Sequence, residues 1–427
     1  MITRRSLLAA FAAPVLSPIA DAVAVDDVPE KSPPEFDKLF PKPTGTNGFE
    51  EIIRAGELVE GIENEYHGRV DGGVPLAKKR EYLAHPVCRE AASLLRRGLS
   101  KPIMIPEQDP LRTGKILPLG LLEVLARMLS DEIYVSLADG QTDVAVRTVA
   151  EGLILAHPLK SVSVNSGLVA RIVEAIVLAP LVRARDGWSV RDCQYLIRLA
   201  EQRLALPDLA PSALSAERAT TLRMIEWWRE KPDEWCDLIE TQYAPYEEGE
   251  PESPKLHRAR DIARSLRTDA TLRERIFREM TAAVQYHFDQ ANVLLGDPTG
   301  WMTLAPPPGA NAGEHYMIPF LREVFLLEAR GTVQRSVEGR VSLQLLAVHA
   351  AIRRHRWETE RLPKSLKELP LAANLVTDPF TKKPLLYEPE TTGTGYELAS
   401  AGALYHGSDG RPDERERITL PRTRPKE

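Results

Sequence analysis

The chain has little cysteine, no excess of positive charge and no long apolar run beyond its N-terminus. Its 427 residues include three cysteines, and 55 Lys and Arg stand against 61 Asp and Glu, which gives a formal net charge of −6. The most apolar later stretch, Ala175 to Val182, is interrupted by Pro180 and is far shorter than the roughly 20 residues that span a membrane. The lack of a long apolar run excludes a membrane-embedded protein, and the lack of excess positive charge excludes a strongly basic nucleic-acid binder. The apolar content of 43% excludes a disordered chain.

The cysteines Cys88, Cys193 and Cys236 are odd in number and widely spaced. An odd number argues against a disulfide framework and favours packing roles, and no Cys-x-x-Cys pair indicates zinc. A bridge between Cys193 and Cys236 stays an open alternative.

The first 24 residues have the pattern of a secretory signal, with a charged start, a short apolar centre and small residues before Ala22 and Ala24. Cleavage at either alanine leaves a mature chain in the periplasm or cell envelope. The pair Arg4-Arg5 is similar to a twin-arginine signal, but it is equally the positive start of an ordinary Sec signal. The route of export is therefore left open.

The mature chain divides into three parts by composition. Residues 25–47 are rich in proline and charge and are predicted to form an extended leader. Residues 48–358 are predicted to form a helical body, and residues 359–427 a small tail packed on the preceding helix. Loops are expected at 205–217, 241–254 and 296–313, where proline, glycine and acidic residues cluster.

Helical periodicity is clear in the body. Apolar residues recur at steps of three and four and predict one buried helix face: Leu122, Leu125, Leu129, Ile133 and Leu137. The next helix should follow a turn at Ala138-Asp139-Gly140. The stretch Val162–Val182 carries only Arg171 and Glu174 as charges, so neighbours must cover it on several sides.

These patterns predict a mainly α fold of stacked antiparallel helical hairpins, solenoid-like and similar to tetratricopeptide repeats at the turn 137–145. No full repeat signature is present. A long helix is expected from Ile318 to Glu358, with interruptions at Gly331 or Gly339, and Val341, Leu345, Val348 and Ile352 mark its buried face. Three short strands are predicted in the tail, at 385–387, 396–398 and 418–420, so the tail is a small α+β unit.

The tail motifs are Arg361-Leu362-Pro363, Asp378-Pro379-Phe380, Gly395-Tyr396-Glu397-Leu398 and Ser400-Ala401-Gly402. With these motifs the tail resembles the globular end of the major pseudopilins of type II secretion. Most of the chain resembles large uncharacterised exported proteins of planctomycete-type bacteria, in which a helical region similar to residues 48–358 precedes the same tail. A filament role is not expected, because the apolar N-terminal helix of pilins is missing from the corresponding place.

The pseudopilin resemblance implies calcium binding in the loop after Gly402. Asp409, Asp413 and Glu414 offer oxygen ligands there. However, Arg411, Arg415 and Arg417 crowd the loop with positive charge, and a solvated polar loop is the favoured interpretation. We therefore assign no metal and no cofactor.

No catalytic motif is present in the sequence: neither a Gly-x-Ser-x-Gly elbow, nor His-Glu-x-x-His, nor a phosphate-binding glycine loop. His315, beside Glu314, is the first histidine to consider for chemistry, although adjacent residues on a helix point in different directions. His349 is expected to be a packing residue. No catalytic residue is assigned.

Three tryptophans and one basic run each have both a structural and a functional interpretation. Trp227, Trp228 and Trp235 could stack on a sugar, but packing between helices is the commoner use. The basic run 353–356 is short and is followed by acidic residues, and nucleic-acid binding is not expected of an acidic exported protein.

The sequence therefore favours an exported, non-catalytic scaffold that binds a protein or peptide partner in the bacterial envelope. The alternative is an envelope hydrolase acting on glycan or peptide, with its site near the 296–315 loop. The oligomeric state is not indicated by the sequence.

Overall fold

A computed structural model describes residues 38–67, 74–106, 118–242, 254–297, 328–390, 395–402 and 417–420. The predicted signal segment and most of the leader lie outside these residues. The described chain is mainly helical, with a small three-stranded antiparallel sheet near its C-terminal end, as predicted. None of the described helices is long and apolar enough to cross a membrane.

The described part of the body consists of twelve helices. They are α1 Phe49–His67, α2 Leu76–Ala84, α3 Pro86–Leu99, α4 Leu119–Ala138, α5 Thr142–Leu159, α6 Val164–Ala184, α7 Val190–Ala205, α8 Ala210–Glu230, α9 Pro232–Gln242, α10 Pro254–Thr268, α11 Ala270–Gly296 and α12 Glu328–Thr359. The tail adds α13 Ala373–Val376 and the strands β1 Leu386–Pro389, β2 Tyr396–Ser400 and β3 Ile418–Thr419.

Polar side chains determine where several helices begin. Ser189 accepts a hydrogen bond from the Asp192 backbone N–H and the Asp192 carboxylate accepts one from Ser189, which forms a capping box before α7. Asp269 caps α11 by accepting a hydrogen bond from the Leu272 backbone N–H, without a capping box. The loop predicted at 205–217 is shorter than expected, because α8 already begins at Ala210. Pro211 lies in its first turn, where a missing N–H costs no helical hydrogen bond.

The first hydrophobic core joins α1–α7 with the middle of α12. The predicted face of α4 is buried there, except for Leu137, which is partly buried. The turn after α4 is also confirmed: Gly140 has a φ of +70°, a conformation that side chains disfavour. Helices α4, α5 and α6 pack on one another across the two short turns that connect them.

The second core is formed by α8–α11 and Val333 of α12. Trp228 and Trp235 are stacked in it with ring centroids 5.7 Å apart, and Phe277 lies 4.8 Å from Trp235. Their burial confirms packing as the role of these two tryptophans.

Helix α12 belongs to all three cores. Val333 joins the second core, while Leu343, Leu346, Ala347 and Ala350 face the first. The predicted face Val341, Leu345, Val348 and Ile352 is fully buried against the tail in the third core. The expected interruption at Gly331 or Gly339 does not occur, since the helix runs unbroken through both glycines.

The tail sheet has the strand order β1-β2-β3, and Tyr387 pairs with Leu398 and Ser400 with Ile418. The buried Asp378 connects the turn that follows it to the end of strand β2. Its carboxylate accepts hydrogen bonds from the backbone N–H of Phe380 at 2.9 Å and of Ala401 at 2.8 Å. The bend at Asp378-Pro379 before the first strand is therefore held by the aspartate side chain itself.

The three cysteines are buried free thiols. Cys88 and Cys193 lie in the first core and Cys236 in the second, so the bridge left open by the sequence is not formed. Burial raises the pKa of Cys193 to about 12 and the pKa of each of the others to about 11. All three thiols are therefore protonated at neutral pH.

Candidate functional site

A group of four charged side chains meets where α5, α6 and α7 come together. We call Lys160, Arg171, Glu174 and Arg203 the cationic cluster. Lys160 Nζ lies 2.8 Å and Arg203 Nη2 3.0 Å from Oε1 of Glu174, and Arg171 Nη1 lies 3.0 Å from Oε2. Glu174 is almost completely buried, so this single carboxylate is the point on which the three cations converge.

Local structure explains how these side chains meet. Arg171 and Glu174 are three residues apart on α6 and therefore lie on the same helix face. Lys160 follows directly after α5, and Arg203 lies in the last turn of α7. The charges that looked isolated in the apolar stretch 162–182 are thus paired by residues from two neighbouring helices.

The electrostatics of the cluster are dominated by burial and by its positive charge. Burial on its own raises the pKa of Glu174, but the charges of Lys160, Arg171 and Arg203 outweigh it and hold that pKa well below its usual range. Burial lowers the pKa of Lys160, and the Glu174 carboxylate opposes that shift. On α5, burial together with the charges of Arg203 and Lys160 lowers the pKa of His157 to about 4. The imidazole of His157 is therefore neutral at pH 7.

A second polar group joins α12 to the tail sheet. The Tyr396 hydroxyl lies 2.6 Å from Nδ1 of His349, and Nε2 of His349 lies 3.7 Å from the Asp186 carboxylate. The Trp188 ring stands edge-on to the imidazole, with centroids 5.8 Å apart. Arg353 donates a hydrogen bond to the backbone carbonyl of Trp188 at 3.1 Å.

The order hydroxyl, imidazole, carboxylate is that of a nucleophile, its base and an orienting acid. The pKa values do not suit that chemistry. Burial lowers the pKa of His349 to about 4 and raises the pKa of Tyr396 well above its usual range. A general base works best when its pKa lies near the operating pH. This group is therefore a buried hydrogen-bonded contact, in line with the packing role expected for His349.

A third polar group surrounds Asp131 of α4. Its carboxylate accepts a hydrogen bond from Lys79 and lies 3.0 Å from Nε2 of His67. Lys79 also lies 4.9 Å from the centre of the Tyr134 ring. One lysine pairs with one carboxylate here, in contrast to the three cations around Glu174.

Three side chains of the basic run 353–356 have different partners. Arg353 turns inward to Trp188, Arg354 pairs with Glu358 at 2.7 Å, and Nε2 of His355 lies 3.8 Å from Glu368. These three side chains do not form a shared basic patch. Trp227, the remaining tryptophan of the predicted stacking group, is partly buried and has Lys231 5.4 Å from its ring centre.

Several predicted site residues lie outside the described part of the chain. These are His315 with the 296–313 loop beyond Asp297, and the tail loop with Asp409, Asp413 and Glu414. Within the described ranges, no three His, Cys, Asp or Glu side chains are arranged to hold a metal ion.

The cationic cluster was not found by motif scanning. Two of its members, Arg171 and Glu174, stood out as the only charges on an apolar helix. A buried charge has to be paired, and that rule would have predicted partners for them without naming which. Comparison with protein-family models, with curated proteins and with solved structures finds no match to this chain.

Proposed function

We propose that this protein is an exported, non-catalytic scaffold of the bacterial envelope that binds a protein or peptide partner. Export is supported by the signal-like pattern of residues 1–24, including Arg4-Arg5 and the small residues before Ala24. The resemblance of the tail to pseudopilin globular ends fits a role in the envelope, where the tail would cap the stack of helices.

The observation that carries the proposal is the position of α12 in all three cores. A single helix of 32 residues is buried against α6 and α7 in the first core, against the second core and against the tail sheet. Moving one part relative to another would break contacts on this helix. Surface groups are therefore held at fixed spacings, and a preorganised surface loses less entropy when a partner binds.

The protonation states of the buried groups also favour binding over acid–base chemistry. His157 and His349 have pKa values lowered to about 4 by burial, and burial raises the pKa of each cysteine to about 11 or 12. These groups therefore keep one protonation state across neutral pH.

Trp357 is the surface residue at which we would begin to look for a partner. Its side chain, near the C-terminal end of α12, is 52% exposed, and the neighbouring residues Arg354 and Arg361 are engaged in ion pairs. Tryptophan and arginine are enriched among the residues that contribute most to binding at protein interfaces. An exposed tryptophan on a rigid helix is suited to that role.

The test uses the chain from residue 25 to 427 as bait in an envelope extract of the bacterium from which it derives. We expect reproducible capture of a partner by the wild-type chain and loss of that partner with Trp357→Ala. Val293→Ala is the matched control, because Val293 is 60% exposed on α11, outside the tail unit. Failure to capture any reproducible partner, or hydrolysis of envelope glycan or peptide by the purified chain, would contradict the proposal.

A further inference from the structure

Glu174 is surrounded by more positive charge than it can neutralise. Lys160, Arg171 and Arg203 bring three positive charges to one carboxylate. The next pair outward, Arg340 with Asp208 at 4.0 Å, is balanced and leaves the excess unchanged. Two positive charges therefore stay uncompensated among the described side chains of this region.

An uncompensated charge that is largely removed from water is unfavourable. The effect is visible on the neighbours, since burial lowers the pKa of Lys160 and the cluster's charges add to the lowering of the pKa of His157. One or two cations are enough to pair with a single carboxylate. A third cation beside the same carboxylate favours the binding of a further negative group.

Two polar atoms of this region are buried without a hydrogen-bond partner. They are Nε of Arg203 and Nδ1 of His157. The Arg203 guanidinium thus holds Glu174 through Nη2, while its Nε–H has no acceptor among the described residues. A guanidinium donates in a fixed fork, which matches the oxygen spacing of carboxylate and phosphate groups.

The cluster is buried but not sealed. The side chains of Lys160, Arg171 and Arg203 are between 11 and 19% exposed, so each of the three cations keeps a small solvent-accessible surface. A compact solute can contact such a small exposed surface more fully than a folded protein surface can. The site therefore suits a small ligand.

The backbone of α12 holds one of the three cations in place. A Cβ atom at Gly339 would lie 2.4 Å from Nη1 of Arg171, closer than atoms can approach. The Arg171 guanidinium therefore packs directly against Gly339. An alanine at position 339 would displace this guanidinium without changing any charge.

We propose that the cationic cluster binds one small oxyanion, with Arg203 and Lys160 as donors and Glu174 holding the three cations in position. Carboxylates and phosphates share the chemistry that the cluster recognises. This inference is independent of the proposed scaffold role, because a chain that binds no oxyanion can still capture a partner at Trp357.

The test titrates the chain of residues 25–427 with inorganic phosphate and, separately, with acetate. Sodium chloride keeps the ionic strength constant, and isothermal titration calorimetry and thermal unfolding are both recorded. We expect saturable heat and a rise in Tm, because a ligand that binds only the folded state stabilises it. Binding of phosphate alone assigns a tetrahedral ligand and binding of acetate alone a carboxylate, and both results support the proposal.

Three variants locate the site. Arg203→Gln leaves Glu174 with two cations, so the chain should fold, and we expect its affinity to fall about tenfold or more. Gly339→Ala should weaken binding with no change of charge, by displacing Arg171. Arg198→Gln is the control, since Arg198 is exposed on the same helix and pairs with Glu201 at 3.2 Å. Its affinity should equal that of the wild type.

Two results would overturn the proposal. One is the absence of both heat and Tm shift with either anion in the wild-type chain. The other is equal anion affinity in the wild type, Arg203→Gln and Gly339→Ala, which would place the binding elsewhere on the surface. Circular dichroism of each variant establishes that a loss of binding is not a loss of fold.

Discussion

The hydroxyl of Tyr396 and Nδ1 of His349 lie 2.6 Å apart and join the central strand of the tail sheet to the long helix α12. Both residues are mostly buried, so neither atom has water as a ready substitute. A hydrogen bond in this position connects the tail to the helical body directly, beside the apolar contacts of the third core.

We expect Tyr396→Phe to lower the free energy of unfolding by about 1–3 kcal/mol, because it leaves the His349 nitrogen buried without a partner. Urea unfolding followed by circular dichroism measures the change. In a His349→Phe background the same substitution should cost much less, since no nitrogen is then left unpaired. An equal cost in both backgrounds would show that the hydrogen bond is not the reason.

Acid should destabilise the protein through the same histidine. Burial lowers the pKa of His349 to about 4, with Arg185 and Arg353 acting in the same direction and Asp186 against it. In the unfolded chain an ordinary histidine has a pKa of about 6.5. Between pH 6.5 and pH 4 the unfolded chain therefore binds a proton that the folded chain does not, and stability falls as the pH falls through this window.

For His349 alone, this difference in pKa corresponds to about 3 kcal/mol, present in full above pH 6.5. His157 adds a loss of the same sign. Urea unfolding at a series of pH values from 7.5 to 4.5 checks the slope. In His349→Gln, the free energy of unfolding should depend less steeply on pH, by the equivalent of up to one bound proton. An unchanged pH dependence in that variant would refute the assignment to His349.

Asp378 should be essential to the tail. Its two hydrogen bonds to the backbone of Phe380 and Ala401 are charge-assisted and buried. We expect Asp378→Ala to lower the free energy of unfolding by about 2–3 kcal/mol, and Asp378→Asn to lower it less, because one carbonyl oxygen remains. Glu388→Ala, at an exposed position in β1, should change it by less than about 0.5 kcal/mol. Equal losses for Asp378→Ala and Glu388→Ala would contradict the role of this carboxylate.

A pair of glycines tests the close contact between α3 and the residue before α1. A Cβ atom at Gly48 would lie 2.0 Å from the carbonyl oxygen of Gly98, and a backbone atom cannot rotate away. We expect Gly48→Ala to destabilise the protein by about 1–3 kcal/mol. Gly61→Ala, in α1 with no atom within 4 Å of the new Cβ, should stabilise it by about 0.5–1 kcal/mol. Thermal unfolding of both variants measures the contrast, and a shift of the same sign in both would be inconsistent with the contact.

Much of the secondary structure was predictable because helix periodicity is a local property. Leu122, Leu125, Leu129 and Ile133 recur at helical spacing, and all four are buried. The same holds for the face of α12 from Val341 to Ile352. Boundaries were less predictable, as at Pro211, because proline is compatible both with a loop and with the first turn of a helix.

By itself the sequence determined a mainly helical chain, the buried face of its longest helix and the three short strands of its tail, since these follow from apolar spacing and turn residues. Only the tertiary structure decided which helices meet. It brought Lys160 and Arg203 to Glu174, placed Gly339 beneath Arg171 and joined His349 to Tyr396. The physical reason is that periodicity depends on neighbours within a few residues, whereas the pairing of charges 14 or 29 residues apart depends on how whole helices pack.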